Sequence, residues 1–448
     1  MIDILFVYEH KVREIESIIA LKTLLELEKL KVEIIWVRNY ARLRYFLYKK
    51  PRLIVTPYLY TNKELYDTVI SVCGNVTKII NLQWEQVFNG ESTDVTSNPK
   101  GIPKDAVHIC WGKVSYERLK KTNIKNLLLS GAPQLDFLRP IFNNYFYSKK
   151  EIIKKYKLNP QKKIILFISS FSYYSLSDSE LDEIQPLVDF DTYFFRTLTI
   201  KSKNTIIEWF KLFLEEYKDY QIIYRPHPAE LKDQLLENFK SENEDFIIIS
   251  NESVKQWIKV SDIVLNWYST SGIEAYFAGK SNYFLRPYTL PDNLEYQMYV
   301  KAPKVTNYLS MVNIIKSEIK EKKAISNEII DEINKFYLYT DKYACKNIAN
   351  KIIEMLKTDQ YDIKYNLCSK YTILKAILKN MIKHIIIKNY KKKTLIYEYF
   401  LSKNKFLSKI TSKIIVSYKS HLNDYISEEE IRNIYSRMKY SLEKLHEK

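Results

Sequence analysis

The 448-residue sequence predicts an α/β protein with two doubly wound domains and a basic helical extension. A chain of this length exceeds a single ordinary hydrophobic core and suits two α/β domains. Short apolar runs alternate with segments of helical periodicity in two successive stretches of the chain. The net charge of +17 is unevenly spread, because residues 361–420 alone hold 14 lysines and two acidic residues. The charge therefore belongs to an extension rather than to the folded body.

The N-terminal domain is predicted to span residues 1–145 and to contain a parallel sheet of six strands. Residues 13–30, which carry apolar side chains three and four apart, predict the first connecting helix. Such alternation of strands and helices favours a doubly wound sheet. The predicted strands are 2–8, 32–37, 52–58, 77–85, 106–112 and 126–131.

A second domain of the same kind is predicted for residues 146–358, after a charged, tyrosine-rich crossing at 141–162. Its apolar runs are again separated by segments that predict helices, at 203–218, near 229–240 and at 271–279. The predicted strands are 163–170, 221–226, 245–250, 262–267 and 282–287.

The extension, residues 359–448, is rich in lysine, isoleucine, leucine and tyrosine. Residues 373–390 predict a basic amphipathic helix with lysines four to five residues apart. Two interpretations stay open. Residues 361–420 could bind the anionic surface of the inner membrane, or the helix could dock on the body with its lysines in water.

Composition narrows the class of protein further. The four cysteines are far apart and form no CxxC pair, which indicates buried free thiols in a reducing compartment. No run approaches the roughly 18 apolar residues that a membrane span needs. We therefore expect a cytoplasmic protein that is at most peripherally bound to membrane. No nucleic-acid-binding motif is visible, so nucleic acid is not an expected partner. With only seven glycines in the chain, those present should occupy positions that a Cβ cannot.

The first candidate site is the segment Tyr224-Arg-Pro-His-Pro228 at the end of a predicted buried strand. Ligands of open α/β sheets bind beyond the carboxyl ends of strands. Prolines on both sides hold His227 in an extended turn, because each fixes its own φ and restricts the residue before it. Arg225 and His227 can both donate hydrogen bonds to phosphate oxygens.

A second candidate site follows about forty residues later, where a strand, a hydroxyl-rich turn and a helix succeed one another. Ser269, Thr270 and Ser271 would lie at the helix N-terminus, where free N–H groups and the helix dipole favour a phosphate. Gly272 would let the backbone approach a ligand closely. Glu274, in the first turn, could accept hydrogen bonds from ribose hydroxyls.

These motifs resemble a known group of proteins. Arg-Pro-His-Pro followed by S-D-x-V-x-x-x-x-S-T-x-G-x-E-A-x-x-x-G-K is similar to the C-terminal half of bacterial surface-carbohydrate transferases of the GT-B fold. These include capsule β-Kdo transferases, HP-motif sialyltransferases and CDP-glycerol glycerophosphotransferases. The tract from Trp111-Gly112 to Gly131-Ala-Pro-Gln-Leu-Asp136 resembles the end of their N-terminal domain. The resemblance covers roughly residues 77–290 and implies two Rossmann-like domains that face a cleft.

The resemblance also implies a chemistry. The donor would be a CMP- or CDP-activated compound, bound through His227, Ser269 and Thr270 at its phosphate and through Glu274 at its ribose. The expected activity is an inverting, metal-independent glycosyl transfer from a CMP-Kdo-like donor to a glycan or lipid-linked glycan, in capsule or other surface polysaccharide biosynthesis. No cofactor is expected. No His/Asp/Glu cluster in the sequence has metal-ligand spacing.

The general base that activates the acceptor is expected from the N-terminal domain. Glu85 directly follows a predicted strand, and the neighbouring Trp84 could stack on a sugar face. Asp136 is the other candidate, although its place in the Gly131–Asp136 tract suggests a structural role near the interdomain crossing, and Asp94, in the polar loop 89–104, is a third. Two further functions of the same fold remain open, polyol-phosphate transfer from CDP-glycerol or CDP-ribitol and nucleotide-sugar epimerisation.

Overall fold

The computed structural model describes residues 1–86, 98–321, 324–338, 342–363, 369–392 and 405–447. The chain forms two compact units. The described residues of the first unit fall within 1–86, 98–136 and 337–447, and those of the second fall within 137–336.

The core of the first unit is a fully parallel six-stranded sheet in the order β2-β1-β3-β4-β5-β6. All six predicted strands are confirmed, each somewhat shorter than or equal to its apolar run. The strands are β1 (Ile2–Tyr8), β2 (Val32–Trp36), β3 (Pro51–Thr56), β4 (Lys78–Asn81), β5 (Val107–Cys110) and β6 (Leu127–Leu129).

Helices connect these strands and cover the sheet. The predicted first helix is confirmed as α1 (Lys11–Leu27), whose side chains from Ile15 to Leu25 are mostly buried. The others are α2 (Leu43–Leu47), α3 (Asn62–Leu65), α4 (Ser71–Cys73) and α5 (Lys113–Lys121). A π-helical turn, Tyr66–Ile70, joins α3 to α4.

The second unit also contains a fully parallel six-stranded sheet, in the order β12-β11-β10-β7-β8-β9. The strand that comes first in the sequence, β7, lies in the middle of the sheet. Later strands are added on one side of it and then on the other, which is the Rossmann strand order. The strands are β7 (Lys163–Ile168), β8 (Tyr220–Arg225), β9 (Phe246–Ile248), β10 (Ile263–Asn266), β11 (Asn282–Leu285) and β12 (Lys304–Val305). The five predicted strands are confirmed, and β12 was not predicted.

The helices of the second unit are α6 (Lys149–Tyr156), α7 (Asp178–Ile184), α8 (Thr192–Glu216), α9 (Gln234–Glu242), α10 (Val254–Val260), α11 (Gly272–Phe277), α12 (Tyr308–Lys320) and α13 (Asn327–Phe336). The predicted crossing at 141–162 therefore contains a helix, α6. The helix α8 begins eleven residues before the predicted 203 because Asp191 caps it, accepting a hydrogen bond from the Phe194 N–H.

The chain then returns to the first unit through α14 (Ala344–Lys357), α15 (Lys370–Lys392), α16 (Lys405–Lys419) and α17 (Glu428–Glu447). The compact units thus place residues 337–357 with the first sheet, whereas the predicted domain boundary is at 358. The division into domains 1–145, 146–358 and 359–448 remains a prediction about folding units. The helical extension itself is confirmed over the described residues.

Several compositional expectations can be compared with the structure. Cys73, Cys110 and Cys345 are buried free thiols, and Cys368 lies outside the described residues. Four of the described glycines adopt positive φ, including Gly131, where a Cβ would lie 2.8 Å from a backbone oxygen. Among the described helices, none has the length and apolar character that a membrane crossing requires.

Candidate functional site

The candidate site lies at the carboxyl edge of the second sheet. The central strand β7 is flanked by β8 on one side and β10 on the other. The chain turns away in opposite directions from β7 and β10, so their carboxyl ends form the topological switch point where ligands of such sheets bind. The His227 turn follows β8, and the Ser269–Ser271 turn follows β10. The two predicted motifs therefore flank the end of β7.

Arg225 ends β8 and is buried beneath the site. Its Nη1 donates to the carbonyl of Asn251 at 3.0 Å and its Nη2 to the carbonyl of Glu252 at 2.6 Å. Burial lowers the pKa of Arg225 to about 10, and the nearby Glu274 carboxylate opposes this change. Glu252 adopts a positive φ of 62°, a conformation that needs support from its surroundings. Arg225 thus braces the segment after β9, and we do not propose a direct contact with a donor phosphate for it.

His227 is exposed at the tip of the next turn. The Ala229 N–H donates to Nδ1 at 3.1 Å, so Nε2 carries the ring hydrogen of the neutral imidazole. The surrounding protein desolvates the ring and lowers its pKa, while the charge of Glu230 acts in the opposite direction. At pH 7 this exposed turn therefore carries a neutral histidine whose N–H donor is at Nε2.

A buried carboxylate, Glu230, lies directly behind this turn. Its Oε1 accepts hydrogen bonds from Lys203 Nζ at 2.8 Å and from Tyr224 Oη at 2.6 Å. Its Oε2 accepts from the Ser169 hydroxyl and, at 3.3 Å, from the His227 N–H. The Lys203 and Glu230 side chains are 0% and 1% exposed. Sequence reasoning missed both residues.

The turn after β10 is held by neutral groups. The Asn266 amide oxygen accepts the Ser269 N–H at 3.3 Å, and the Ser269 hydroxyl accepts the Ser271 N–H at 3.2 Å. Tyr299 donates its hydroxyl to the carbonyl of Thr270 at 2.8 Å. Ser269 is buried, Thr270 is exposed, and Ser271 makes no side-chain hydrogen bond as the cap of α11. The hydroxyls of Thr270 and Ser271 are therefore the ones that a ligand could reach.

Gly272 also packs closely against protein atoms, and its predicted close approach to a ligand stays a prediction. A Cβ at this position would lie 2.5 Å from Asn282 Nδ2 and 2.7 Å from Asn266 Nδ2. Asn266 Nδ2 itself donates to Asn282 Oδ1 at 2.8 Å. The glycine is needed because the turn packs tightly on this buried asparagine pair, which sequence reasoning did not identify.

Glu274 lies in α11 and is buried rather than open to solvent. Its carboxylate is 3.7 Å from Lys255 Nζ of α10, a buried lysine that the sequence analysis missed. The Glu274 carboxylate also opposes the lowering of the pKa of Arg225 by burial. Holding a ribose remains a prediction for Glu274.

In the first unit, Glu85 lies just beyond β4 with an exposed side chain, and its carboxylate pairs with Arg13 of α1. An accessible carboxylate fits the predicted general base, which stays a prediction. Trp84 is only 3% exposed, so it cannot offer a ring face to a sugar in this conformation. The preceding Gln83 has a positive φ of 48° and is fully buried.

Asp136 has a structural environment. Its two carboxylate oxygens accept the backbone N–H groups of Ala344 at 3.1 Å and Cys345 at 2.7 Å, which caps the start of α14. Burial and two backbone hydrogen bonds give Asp136 a structural role in this structure, and its role as general base stays a prediction. Asp94, the third candidate base, lies outside the described residues.

One buried carboxylate of the first unit was missed. Glu14 accepts the N–H groups of Glu9 and His10, both at 3.0 Å, and thereby fixes the entry to α1. Burial raises its pKa to about 7. Its two backbone bonds give it a capping role. Within the described ranges, no group of three or more His, Cys, Asp or Glu side chains is placed to hold a metal ion.

Comparison with known proteins supports the fold. No protein-family model matches this chain, and neither does any curated protein sequence. Among solved structures, the chain is similar to a histidine-to-asparagine variant of the wall teichoic acid polymerase TagF, with 16% identity and a TM-score of 0.53, covering 79% of this chain and 89% of TagF. It is also similar to a putative UDP-N-acetylglucosamine 2-epimerase from Listeria monocytogenes, with 14% identity, a TM-score of 0.51 and coverage of 80% and 98%.

A third similar structure is the S. aureus MnaA–UDP co-structure, with 14% identity, a TM-score of 0.50 and coverage of 80% and 97%. At such identities the likeness concerns the fold. The predicted fold class is confirmed, because the chain has the two parallel six-stranded, Rossmann-like halves of GT-B proteins and a helical C-terminal part.

Proposed function

We propose that the protein is an inverting, metal-independent glycosyltransferase that uses a cytidine-nucleotide-activated, CMP-Kdo-like sugar to build a bacterial capsule or other surface polysaccharide. The observation that carries this proposal is the pairing of two phosphate-competent turns, at His227 and at Ser269–Ser271, on either side of β7. Neutral N–H and O–H donors at that edge suit the phosphate of a nucleotide donor. Two similar structures were solved with UDP or with CDPG, which supports a nucleotide ligand for this fold.

In this proposal each residue has a limited task. His227 Nε2–H and the hydroxyls of Thr270 and Ser271 donate to the donor phosphate and stabilise the charge that develops as the nucleotide leaves. Glu274 accepts hydrogen bonds from the ribose. Glu85 takes the proton from the hydroxyl of the glycan or lipid-linked glycan acceptor.

The alternative is polyol-phosphate transfer from CDP-glycerol or CDP-ribitol. It is favoured by the similarity to TagF, which includes a TagF structure soaked with CDPG at 15% identity and a TM-score of 0.52. The same two turns would then bind a diphosphate. An epimerase would differ from both, because it would release no nucleotide and would need no acceptor.

The deciding experiment is a thermal-shift screen of the full chain with CMP, CDP, UDP and AMP, followed by product analysis. A ligand at 100 times its Kd adds about 2.7 kcal/mol of stability. CMP and CDP should raise the melting temperature. Stabilisation by UDP alone, with interconversion of a UDP-sugar, would refute the cytidine proposal in favour of an epimerase.

We also propose that the protein binds the anionic inner-membrane surface through the extension at 361–420. One face of α15 packs on the rest of the first unit. On this face the Asn380 side chain donates to the Ser71 carbonyl, and Ala376 and Ile387 are buried. The opposite face is apolar and exposed. Its members recur at helical spacing and are Tyr371, Leu374, Leu378, Met381, Ile382 and Ile385.

Lysines flank this exposed apolar face. At 100° per residue, Lys375 and Lys379 fall along one side of it, and Lys370 and Lys388 along the other. An apolar stripe between two rows of lysine is complementary to an anionic lipid surface, to which each lysine contributes about 1 kcal/mol near the headgroups. Docking and membrane binding therefore use different faces of one helix.

Deleting the whole extension would not test membrane binding separately from folding. Removing everything after residue 360 would also remove α17, which packs on α1 with Met438, Leu442 and Leu445 buried. Instead, the double substitution Leu378→Ser and Ile382→Ser should abolish sedimentation with phosphatidylglycerol vesicles and leave the melting temperature unchanged. Tyr440→Ser, an exposed position on α17, is the matched control and should still sediment. If the double variant sediments like the wild type, the membrane proposal is wrong.

A further inference from the structure

The Lys203–Glu230 pair is the most deeply buried ion pair near the candidate site. Lys203 belongs to α8 and lies on the apolar side of that helix, in line with Thr199, Ile206 and Phe210. Its ammonium group also lies 4.2 Å from the centre of the Tyr174 ring. A charge in such a position requires partners, because burial of an unpaired ion is strongly unfavourable.

Asp233 supplies the second partner of Lys203. Its Oδ2 contacts the ammonium group, while its Oδ1 accepts the Leu236 N–H and caps α9. Asp233 is slightly exposed, whereas Glu230 is not. Lys203 therefore connects α8 to two points of the segment between the His227 turn and α9, one at Glu230 and one at Asp233.

Glu230 accepts four hydrogen bonds, and these reach four different elements. The donors are Lys203 of α8, Ser169 just after β7, Tyr224 near the end of β8 and the backbone of His227. Four donors fill the accepting capacity of one carboxylate. The carboxylate is thus the common anchor of the two strand ends and the histidine turn.

A gain in folding stability does not explain why the protein buries this ion pair. An apolar pair of similar volume is often equally stable, whereas removal of one charged partner is costly. The ion pair instead fixes the position of the His227 backbone, because the carboxylate that Lys203 holds also accepts the His227 N–H. Because the Ala229 N–H holds Nδ1 at the same time, the direction of Nε2–H is set by this anchor.

We infer that Lys203 and Glu230 are positioning residues, which hold the His227 turn so that its Nε2–H is presented to the phosphate of the nucleotide donor. This inference rests on the proposed function for its ligand. The anchoring itself concerns only the second unit and can be measured without any ligand.

The test compares Lys203→Met and Glu230→Gln with a matched control at the opposite edge of the same sheet. The control is Lys162→Met, which breaks the largely buried pair of Lys162 with Asp245, next to the starts of β7 and β9. All three variants should lose stability. Only the first two should raise the Kd for CMP or CDP, by about tenfold or more, measured by calorimetry on folded protein. Equal affinities in Lys203→Met and Lys162→Met would overturn the inference.

A double variant separates position from stability. Lys203→Met alone leaves the buried Glu230 carboxylate without its cation, and adding Glu230→Gln removes that charge, so the double variant should be more stable than Lys203→Met. Its affinity should stay as low as that of Glu230→Gln, because the anchor is still missing. Recovery of affinity together with stability would show that the pair acts only through folding.

A ligand-free measurement keeps the inference distinct from the proposed function. Amide hydrogen exchange at residues 227 and 229 should become at least tenfold faster in Glu230→Gln and stay unchanged in Lys162→Met. If the wild type binds no nucleotide but the exchange result holds, the proposed function fails and the anchor stands. If exchange at 227 and 229 is unchanged, the anchoring inference fails whatever the ligand.

Discussion

The two turns at the carboxyl edge of the second sheet are held in place by different kinds of interaction. The His227 turn is anchored by buried charges, with Glu230 and Lys203 at the centre. The Ser269–Ser271 turn is anchored by neutral amides, a tyrosine hydroxyl and the close packing of Gly272. The first should therefore respond to a loss of charge, and the second to a gain in volume. In both turns, residues that carry hydrogen-bond donors remain exposed or partly exposed, namely His227 in the first and Thr270 and Ser271 in the second.

Glu85→Gln should have the largest effect on the rate of transfer. It is the reference for the other variants because it changes neither turn. Loss of a general base typically lowers the rate about 10²–10⁴-fold. Because Glu85 belongs to the first unit and neither turn depends on it, nucleotide affinity should be unchanged. Steady-state kinetics and calorimetry on the same preparation measure both quantities. An active Glu85→Gln variant would mean that the base has been misassigned.

His227→Ala should weaken nucleotide binding without unfolding the protein. A hydrogen bond to a charged phosphate contributes about 1.5–3 kcal/mol, which corresponds to roughly 10- to 150-fold in Kd. The side chain is exposed, so its removal leaves no cavity in the core. Calorimetry gives the Kd and a thermal melt gives the stability. Wild-type affinity in this variant would remove His227 from the donor site.

Gly272→Ala tests the turn that is held by packing. The added Cβ would overlap Asn282 and Asn266, and overpacking of this kind typically costs about 1–3 kcal/mol. Nucleotide affinity should fall as well, because the turn is displaced. The matched control is Gly279→Ala, where φ is +70° but no atom lies within 4 Å of the new Cβ. That variant should lose about 1–2 kcal/mol from backbone strain alone and keep its affinity.

Tyr299→Phe should have the smallest effect. It removes the hydroxyl that donates to the Thr270 carbonyl and keeps the ring packed against Phe284. The loss of one neutral hydrogen bond costs about 0.5–1.5 kcal/mol. Urea unfolding should detect it, with at most a few-fold change in nucleotide affinity. An effect as large as that of Gly272→Ala would show that hydrogen bonding, rather than packing, holds this turn.

The sequence predicts the features that have a local pattern, and it misses those that depend on partners far along the chain. Strands β1 to β11 and the His227 turn are marked by apolar runs and by flanking prolines. The strand β12 has only two residues and therefore no periodicity to detect. Lys203 could have been suspected because it interrupts the apolar stripe of α8, but its partner at 230 is far along the chain.

Asp136 shows the same limit for a predicted site residue. From the sequence it is a carboxylate in a tract typical of a domain end, and nothing nearby reveals what it binds. The N–H groups that it accepts belong to residues 344 and 345, more than 200 positions later. Capping across such a separation has no local pattern, so the sequence could suggest a structural role for Asp136 from its tract but could not identify the helix that it caps.

The discontinuity of the first unit has a consequence for biosynthesis. Domains generally fold as units while the chain emerges from the ribosome. The second unit is one continuous stretch of chain in its described part, whereas the first unit still lacks α14 and α17 when that stretch has been translated. The face of α1 that α17 covers stays open until then. The half that is translated first is therefore completed last, because its sheet is already translated while the C-terminal helices that cover it are not.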